Sequence, residues 1–544
     1  MKILGITHPI SWNPAAVLLD DGKIIAAVEE ERFVRIKHAP RMIPHNSIEW
    51  ILKESNLDYS DIDAIAISWD GPHTVNEIDD AVKKGELAGA LKQWNEKDFW
   101  SESVNKEISL MNYLRKFSNA HSYFVKHHLA HAASACFVSG FKKSMFLTID
   151  GRGEFESGQM GIFDNGNFEI IKSFDLRESL GNFYSSLTSI AGFSGHTDEG
   201  KLMGLAPYGT PIDGLKGILK VENENDIIID WNKITSLENT FTENDPTKDS
   251  RKDIAATAQF LLENCVLKLV KYLKSVTGLS NLCLAGGSAL NIDMNGMLLE
   301  SGLIDKIFIQ PASHDAGCAL GSALIVNNQK SNSRNYEMKH AYLGPDWQDN
   351  EIETILKNTG LNYRQLDNVP LEIAELLSNN QVVSWMQGKL EFGPRGLGSR
   401  SLLANPTDCN MWTKVNKLKG REYWRPLAPS IIEEETDKYF KNHGAQSPFM
   451  LLKFHAQEKS SDIIPAVVHI DNSARPQTVS KETSPLDSKL LTECQKIKGV
   501  PVLINTSLNL RGEPIVNSPY DALKTFYSSN IDHLCINNFL ISKY

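Results

Sequence analysis

The feature that most constrains the fold is a strand–turn–strand pattern that occurs twice in the first third of the chain. Near the start, Met1–Leu4 begins an apolar strand that precedes a hairpin made of Ala15–Leu19, an Asp-Asp-Gly turn and Lys23–Val28. The pattern returns at Ser144–Ile149, which is followed by a second hairpin over residues 159–171. Helical stretches follow both openings, so the sequence predicts an internally duplicated α/β domain.

A third apolar strand, Leu282–Ala285, ends in a glycine pair just before a predicted helix. Glycines let the backbone approach a ligand, and a helix amino terminus favours anions, so Gly286 and Gly287 are candidate nucleotide-binding residues. Plain packing explains the same pattern in many α/β proteins, and that alternative stays open. Together with the duplication, this layout resembles the actin-like ATPase architecture, in which two related lobes have a nucleotide between them.

The rest of the chain is expected to form a second α/β domain. The polar stretch Asn327–Asn335 suits a surface loop or a boundary. Beyond it, the pattern predicts a helix over Asn350–Asn358 and strands at residues 381–386, 501–504 and 533–536. We place the domain boundary near residue 345, which gives a first domain over residues 1–345 and a second over 346–544.

Charge and composition exclude several classes of protein. Lys and Arg number 56 against 67 for Asp and Glu, a net charge of −11, whereas general nucleic-acid binders and membrane-surface proteins carry a basic excess. No apolar run approaches the ~18 residues of a membrane span. Polar residues interrupt the amino terminus before a signal-peptide core could form, and no CxxC pair is present among the seven cysteines. We therefore expect a cytoplasmic protein that binds neither nucleic acid nor membrane.

A histidine pair is the sharpest local signal for a metal site. His127 and His131 are four residues apart, so on a helix they share one face and can reach one ion. Asp150 at the end of the next apolar strand and Asp315 in a later turn could add two carboxylates. Two imidazoles and two carboxylates suit iron, manganese or zinc. The alternative, that the pair only marks a helix surface, is the usual explanation of an isolated HxxxH.

A basic patch lies in the carboxy-terminal part of the chain. Residues 381–430 carry eight Lys or Arg side chains against three acids, and several sit beside glycine or proline in Gly393–Ser401 and Lys419–Pro426. Arginine forks match phosphate geometry, and turns hold them more rigidly than a solvated helix face. This pattern favours a phosphorylated small molecule or a nucleotide as ligand, with an ordinary charged surface as the alternative.

The segment Gly195–Leu202 nearly fits the phosphate-binding P-loop. Leu202 stands where that loop needs the Ser or Thr hydroxyl that binds Mg²⁺, so we reject a P-loop and keep only Lys201 as a candidate phosphate contact.

Several motifs, in order along nearly the whole chain, resemble those of the NodU/CmcH carbamoyltransferase family. They are His127–Ala132, Asp150–Glu154, Gly200–Ala206, Gly393–Ser401, Arg421–Ser430, Arg475–Thr478 and Asn505–Pro514. The resemblance implies an amino-terminal domain similar to the actin-like (ASKHA) TsaD proteins and a carboxy-terminal α/β domain similar to YrdC. It also implies that the YrdC-like site makes carbamoyl-adenylate from carbamoyl phosphate and ATP, with Mg²⁺ expected beside ATP.

In that family the TsaD-like site then transfers the carbamoyl group to a hydroxyl of a small-molecule acceptor, with Fe(II) or another divalent transition metal nearby. The resemblance assigns the metal to His127, His131, Asp150 and Asp315. It assigns the adenylate-forming site, with Lys37 and Arg511 as its catalytic residues, to Lys37, Arg395, Lys419, Arg425, Arg475, Asn509 and Arg511. Lys37 lies in Glu29–His38, which otherwise reads as an ordinary charged helix or loop. A homodimer is the default expectation.

One departure from the family puts the transfer step in doubt. The family has His-Asp between its first two strands, whereas this chain has Trp12-Asn13, and neither side chain is a plausible general base. His8 could replace that histidine if the loop folds inward, or Trp12 could line an acceptor pocket. The alternatives are a tRNA-modifying threonylcarbamoyl-type enzyme, a nucleotide-binding protein that has lost transfer and, more distantly, an actin-like sugar kinase.

Overall fold

The computed structural model describes residues 1–72, 96–238, 249–331 and 336–543. The described chain is a mixture of helices and strands, as predicted. It forms two compact units that interleave in sequence. The first unit comprises Met1–Ser179, Leu282–Ser288 and Phe308–Met338, and the second comprises Leu180–Asn281, Ala289–Ile307 and Lys339–Tyr544.

The strands of the described residues are β1 Lys2–Ile6, β2 Ala15–Asp20, β3 Lys23–Glu29, β4 Ala64–Ile67, β5 His121–Phe124, β6 Lys143–Ile149, β7 Glu156–Asp164, β8 Asn167–Asp175, β9 Leu219–Glu222, β10 Asp226–Ile229, β11 Asn281–Ala285, β12 Lys306–Ile309, β13 Arg364–Gln365, β14 Val383–Met386, β15 Arg400–Ala404, β16 Ala428–Ile432, β17 Phe440–Lys441, β18 Phe454–Ala456, β19 Ser473–Ala474, β20 Gln477–Val479, β21 Val502–Ser507, β22 His533–Ile536 and β23 Phe539–Ser542.

The α-helices are α1 Glu31–Val34, α2 His45–Glu54, α3 Glu96–Leu114, α4 His127–Cys136, α5 Leu180–Ile190, α6 Glu199–Leu205, α7 Trp231–Glu238, α8 Asp249–Thr277, α9 Ile292–Glu300, α10 Ala316–Ser331, α11 Asp349–Thr359, α12 Val369–Ser378, α13 Asn410–Leu418, α14 Thr436–Tyr439, α15 Ser460–Ile463, α16 Pro485–Lys498 and α17 Pro519–Tyr527. Among these described helices, none is long and apolar enough to cross a bilayer.

Two five-stranded sheets of the first unit share one topology. Their strand orders are β3-β2-β1-β4-β5 and β8-β7-β6-β11-β12. In each sheet the central strand pairs antiparallel with the hairpin that follows it, and parallel with a strand on its other side, β4 for β1 and β11 for β6. This repeated topology confirms the duplication predicted from the two strand–turn–strand patterns.

Helices α4 and α10 pack on each other and hold this unit together. α4 also contacts β6 and β7, and α10 contacts β1, β2 and β4. Glycines permit the close approach: a Cβ at Gly5 would lie 2.0 Å from the Ala319 carbonyl oxygen, and one at Gly321 would lie 1.8 Å from that of Ala130. No side chain fits at either position, so the two helices are fixed closely against the backbone around them.

The second unit is built on an eight-stranded mixed sheet of order β13-β23-β22-β14-β15-β21-β16-β20. Helices α12 and α16 pack together on it, and fully buried Trp385 and Ile373 belong to the core that they form. The indole N–H of Trp385 donates to Oδ1 of Asp487 at 3.0 Å, so this large ring is buried with its polar atom satisfied. Elsewhere in the unit, α8 packs against α5 and α9.

Most of the secondary structure predicted beyond residue 345 is confirmed. The predicted helix corresponds to α11, and the predicted strands to β14, β21 and β22. The loop expected over Asn327–Asn335 is wrong for its first five residues, because α10 continues to Ser331, and residues 332–335 lie outside the described chain. The boundary near residue 345 stays a prediction; the compact units divide the chain at other positions.

Candidate functional site

Four side chains of the first unit converge where the sequence predicted a metal. His127 and His131 lie one turn apart on α4, and their Nε2 atoms are 3.1 Å apart. Asp150 follows β6, and its Oδ2 lies 3.3 Å from Nε2 of His127 and 3.5 Å from that of His131. Asp315 precedes α10, and its Oδ1 lies 3.7 and 3.8 Å from the same two atoms. The four ligand atoms all lie within 4.8 Å of one another, so one ion could contact all of them.

The outward-facing atom of three of these ligands is already used by a bond to the backbone. Oδ1 of Asp150 accepts from the Gly287 N–H at 3.1 Å, and Oδ2 of Asp315 accepts from the Trp12 N–H at 2.8 Å. Nδ1 of His127 lies 3.3 Å from the Ser68 carbonyl, to which it donates. This leaves Nε2 of His127 and one oxygen of each carboxylate facing the centre, the arrangement that outer-shell bonds give to metal ligands. The donor set therefore fits a divalent transition metal.

The charges of these four side chains shift one another's pKa values. Burial disfavours a charge on His127, but the bond to Asp150 and the charges of both aspartates raise its pKa to about 9. Burial and the charge of His127 lower the pKa of His131. Burial raises the pKa of Asp315 to about 7, with a contribution from Asp150. The pKa of Asp150 lies well below its ordinary value because the bonds to both histidines outweigh burial. Perturbed pKa values of this kind cluster at functional sites, where ionisable groups converge.

Glu154 is a residue of this site that the sequence analysis missed. One of its carboxylate oxygens accepts from the His127 N–H at 3.1 Å and from the Asp70 N–H at 2.9 Å. Because His127 is the first residue of α4, Glu154 places a negative charge at the helix amino terminus and caps it. The N-cap residue itself, Lys126, makes no capping bond with its side chain. Its place at the end of the Asp150–Glu154 motif was the signal that could have found it.

Gly286 and Gly287, predicted to contact a nucleotide, lie beside the candidate metal ligands. Gly286 adopts φ +91°, and a Cβ there would meet the Ile149 carbonyl oxygen at 2.2 Å, so the position requires glycine for packing. The Gly287 N–H binds Asp150. These contacts favour the packing alternative, and the nucleotide role stays a prediction.

His8, the candidate replacement for the missing base, and Trp12, the candidate lining of an acceptor pocket, are placed differently. The Trp12 N–H binds Asp315, while its side chain is 37% exposed. His8 is buried: its Nδ1 accepts from the Ile10 N–H at 3.2 Å, so its Nε2, 2.8 Å from Oε2 of Glu107, is the donor. Since both ring nitrogens of His8 are already bonded, this geometry favours the account in which Trp12 lines an acceptor pocket.

The charged segment around Lys37 is not the ordinary solvated helix or loop that its sequence suggests. Glu29, Glu31 and Arg32 are all buried, with Arg32 donating from Nε to Glu29 at 2.9 Å and pairing with Glu31 at 2.7 Å. Lys37 pairs with Oε1 of Glu31 at 3.1 Å. Glu29 and Glu31 have cationic partners, and buried Glu30 accepts from Asn46 and Ser47, so paired charges and hydrogen bonds make burial of this run possible. Lys37 belongs to the first unit, whereas the other predicted adenylate-site residues belong to the second.

In the second unit, four partly buried arginines, which we call the arginine group, lie close enough to repel one another. They are Arg395, Arg421, Arg425 and Arg475. Burial, then the charges of Arg425 and Arg421, lower the pKa of Arg395 to about 10. Burial, then Arg395 and Arg425, lower the pKa of Arg475 well below its usual value. The buried Nε atoms of Arg395 and Arg475 have no partner within the described part of the chain. Such a group has the geometry and charge to bind a polyphosphate.

Lys419 and Asn509 form a second part of this region. Nζ of buried Lys419 donates to the carbonyl oxygen of Ser507, and to Oδ1 of Asn509 at 3.0 Å. Nδ2 of Asn509 donates to the Glu513 carbonyl at 2.6 Å. The predicted pair is thus brought together and held rigidly at the end of β21.

Lys201 and Arg511 both lie near the carboxylate of Glu422. Oε1 of Glu422 lies 3.6 Å from Nζ of Lys201 and 3.6 Å from Nη2 of Arg511. Lys201 also pairs with Asp198 at 2.9 Å, and the Arg511 side chain is 65% exposed. Arg421 was not predicted as a site residue, although it stands between Lys419 and Arg425 in a quoted motif; its Nη1 donates to Oγ1 of Thr506 at 3.2 Å.

Comparison with known proteins decides the family. A family profile described as "Carbamoyltransferase N-terminus" matches residues 2–324, and one described as "Carbamoyltransferase C-terminus" matches residues 374–543. The nodulation protein NolNO of Sinorhizobium fredii is 36% identical over 99% of this chain and 80% of its own length. The chain belongs to the carbamoyltransferase family. The resemblance found from the motifs is thereby confirmed, and with it the prediction of an enzyme that transfers a carbamoyl group.

Other relatives of this carbamoyltransferase cover different shares of it. The uncharacterized protein sll1178 of Synechocystis is 34% identical over 99% of this chain and 96% of its own length. Nodulation protein U of Rhizobium tropici is 35% identical over 49% of this chain and 45% of its own length. Among solved structures, full-length HypF in its phosphate- and nucleotide-bound form aligns with a TM-score of 0.39 and 15% identity, over 61% of this chain and 56% of that one.

Two carbamoyltransferase motifs of the second unit are in contact. A Cβ at Gly204 would lie 3.3 Å from Cδ of Pro426 and 3.6 Å from the Trp424 ring. The hydroxyl of Tyr208 donates to the Trp424 carbonyl at 3.3 Å. The segment that follows Lys201 therefore packs directly on the turn that carries Arg425.

Proposed function

We propose that this carbamoyltransferase is an ATP-dependent O-carbamoyltransferase that works in two steps. In the first, water removes phosphate from carbamoyl phosphate, and the carbamate oxygen attacks the α-phosphorus of ATP, so that pyrophosphate leaves and carbamoyl-adenylate forms. In the second, the hydroxyl oxygen of an acceptor attacks the carbamoyl carbon; AMP leaves, and the hydroxyl proton is released. The acceptor is a hydroxylated small molecule of the secondary-metabolite type.

The arginine group is the observation that carries this proposal. Carbamate is a poor electrophile, and its mixed anhydride with AMP has a good leaving group. Making that anhydride places the charge of a pyrophosphate in one site, and partly buried guanidinium groups neutralise it. Lys419 and Asn509, held to each other, add a donor and an acceptor of fixed position. The family likeness also assigns Lys37 of the first unit a role in adenylate formation.

The transfer step is proposed to use the site of the first unit. A divalent transition metal such as Fe(II), held by His127, His131, Asp150 and Asp315, would supply a Lewis acid for phosphate oxygens there. The chain's own groups orient those ligands through the Gly287, Trp12 and Ser68 backbone atoms. Trp12 presents its indole ring as an apolar surface for the acceptor. Mg²⁺ is proposed to accompany ATP.

Product analysis tests the proposed reaction. With ATP and carbamoyl phosphate, we expect pyrophosphate and AMP, because cleavage falls between the α and β phosphates. Stoichiometric ADP without AMP would instead support the kinase alternative. Mass spectrometry with a library of hydroxylated acceptors then identifies the carbamoylated product. Adenylate formation without transfer to any acceptor supports the alternative that Trp12-Asn13 raised, a protein that has lost transfer, and tRNA binding with a steep salt dependence supports the tRNA-modifying alternative.

Three narrower proposals complete this account. They are a likeness within the family to the tobramycin O-carbamoyltransferase TobZ, a cytoplasmic location and a homodimeric state. Carbamoylation of an aminoglycoside tests the first, fractionation of cells the second, and light scattering of the purified protein the third.

A further inference from the structure

The loop that precedes β15 and carries Arg395 is organised around one buried carboxylate. Three backbone N–H groups of this loop donate to Oε1 of Glu391: those of Leu397 at 2.8 Å, Ser399 at 2.8 Å and Arg400 at 2.9 Å. Glu391 is only 1% exposed, so water does not compete for this oxygen. Converging backbone N–H groups form the kind of concavity that binds phosphate, and here the protein's own carboxylate fills it.

Further contacts fix the backbone of this loop in one conformation. The carbonyl of Leu397 accepts from the Tyr342 hydroxyl at 2.7 Å and from Nε2 of Gln477 at 2.6 Å. A Cβ at Gly396 would lie 2.7 Å from Cα of Ser507, so the loop backbone lies directly against the end of β21. Gly396 is the neighbour of Arg395, and Ser507 binds Lys419. The conformation that Glu391 stabilises is therefore the one that sets Arg395 beside the Lys419–Asn509 pair.

The two arginines of this loop have different roles. The guanidinium of fully buried Arg400 donates to the carbonyls of Gln387 at 3.0 Å, Gly388 at 2.9 Å and Pro345 at 3.1 Å. It is a structural clamp on neighbouring backbone. Arg395 instead makes one long bond, from Nη2 to the Leu290 carbonyl at 3.4 Å, and belongs to the arginine group. Burial lowers the pKa of Arg400 and the nearby charge of Glu391 opposes this, while Oε1 of Glu391 binds the backbone between the two arginines.

We propose that Glu391 is a positioning residue that holds Arg395 in place to bind the phosphate-bearing substrate of the first step. It touches no substrate and acts on Arg395 through the loop backbone. The proposal rests on the proposed adenylate-forming function of the second unit. Charge-assisted bonds to an ionised acceptor are about twice as strong as neutral ones, so the negative charge itself, and not only the shape of the side chain, maintains the loop.

The experiment compares Glu391→Gln with a matched buried acid, Asp487→Asn. Asp487 packs against the same loop, since a Cβ at Gly398 would meet its Oδ2, yet it accepts from Trp385 rather than from the loop backbone. Burial raises the pKa of Asp487 to about 8, so at pH 7 the asparagine variant removes little charge. Calorimetry with inorganic pyrophosphate should show about tenfold weaker binding for Glu391→Gln and little change for Asp487→Asn.

A double-mutant cycle with Arg395→Ala separates positioning from general damage. If Glu391 acts through Arg395, Glu391→Gln should weaken pyrophosphate binding in the parent but hardly further in Arg395→Ala. Equal weakening in both backgrounds, or none in the parent, would overturn the proposal. Should Glu391→Gln not fold, Glu391→Asp, which keeps the charge and shortens the side chain, takes its place in the same cycle. A coupled cycle in a protein that forms no AMP would contradict the proposed function while leaving the role of Glu391 intact.

Discussion

The two groups of charged side chains described above, one in each compact unit, differ in how their charges are balanced. In the first unit two imidazoles face two carboxylates, and backbone groups bind the outer atoms of three of the four. In the second unit the arginine group places guanidiniums beside one another, with Glu422 and Asp198 as nearby acids. Opposite charges can assemble before a ligand arrives, whereas like charges are costly to gather unless a ligand neutralises them.

This difference indicates which ligand each group requires. The first group is preorganised and needs only an ion of suitable size. The second stores unfavourable repulsion in the free protein, which a bound polyphosphate would relieve. Substitutions in the two groups should therefore differ in their effect on catalysis, on metal content and even in the sign of their effect on stability.

Arg475→Ala should have the largest effect. It removes a guanidinium whose pKa is lowered by burial and by two neighbouring arginines. The departing pyrophosphate thereby loses a fixed hydrogen-bond donor. We expect pyrophosphate release in the presence of ATP and carbamoyl phosphate to fall by about 10³-fold. Metal content after anaerobic iron loading should not change. Loss of metal together with loss of activity would contradict the separation of the two groups.

His131→Ala should show the converse behaviour. The variant removes one of two nitrogens that face the centre, so metal affinity should fall by more than the 10- to 100-fold typical of losing an outer-shell partner. Carbamoyl transfer should fall with it, while pyrophosphate release stays near the parent rate. If His131→Ala loses pyrophosphate release as completely as Arg475→Ala, the two-site account is wrong.

Stability provides a test without catalysis. In the ligand-free protein Arg421→Met should leave stability unchanged or raise it by about 1–4 kcal/mol, since an apolar side chain of similar volume relieves repulsion and desolvation. Asp150→Ala should lower the free energy of unfolding, because it removes the nearer of the two carboxylates that balance the buried His127 charge, and breaking a buried pair costs about 3–5 kcal/mol. Denaturant unfolding measures both. Adding pyrophosphate should stabilise the parent more than Arg421→Met, and equal stabilisation would argue against an anion site.

Signals local in sequence predicted the fold and most candidate residues. The HxxxH spacing gave the face of α4, and the two hairpins gave the duplication, because periodicity and turn residues reflect local backbone geometry. The glycine-flanked arginines likewise marked the region of the arginine group.

The sequence could not show hydrogen-bond partners that lie far apart in the chain or that belong to the backbone. The Trp12 N–H and Asp315 are 303 residues apart, and a backbone N–H leaves no trace in residue identity. The same holds for the three N–H groups that bind Glu391. The Glu29–Arg32 run looked solvated because its composition is charged; its burial depends on compensating contacts that composition does not report.

The smallest effect is expected for His8. Its two ring nitrogens are occupied by the Ile10 N–H and by Glu107, so it cannot accept a proton from an acceptor hydroxyl without breaking one of these bonds. His8→Gln should therefore change carbamoyl transfer only slightly, whereas loss of a general base typically costs 10²–10⁴-fold. Trp12→Ala should mainly raise the KM of the acceptor, since it removes indole surface but keeps the N–H that binds Asp315.

A pH–rate profile of transfer on the true acceptor makes this last comparison sharp. A limb near pH ~6–7 would indicate a titrating histidine. If that limb persists unchanged in His8→Gln, the hydroxyl proton goes to another group. The candidate metal site or the phosphate leaving group then becomes the candidate proton acceptor. If the limb disappears and the rate falls by a factor typical of a lost base, His8 has left its observed contacts to act in catalysis. The two bonds that now hold His8 would then describe a resting conformation, and Glu107→Gln, which loosens one of them, should speed transfer rather than slow it.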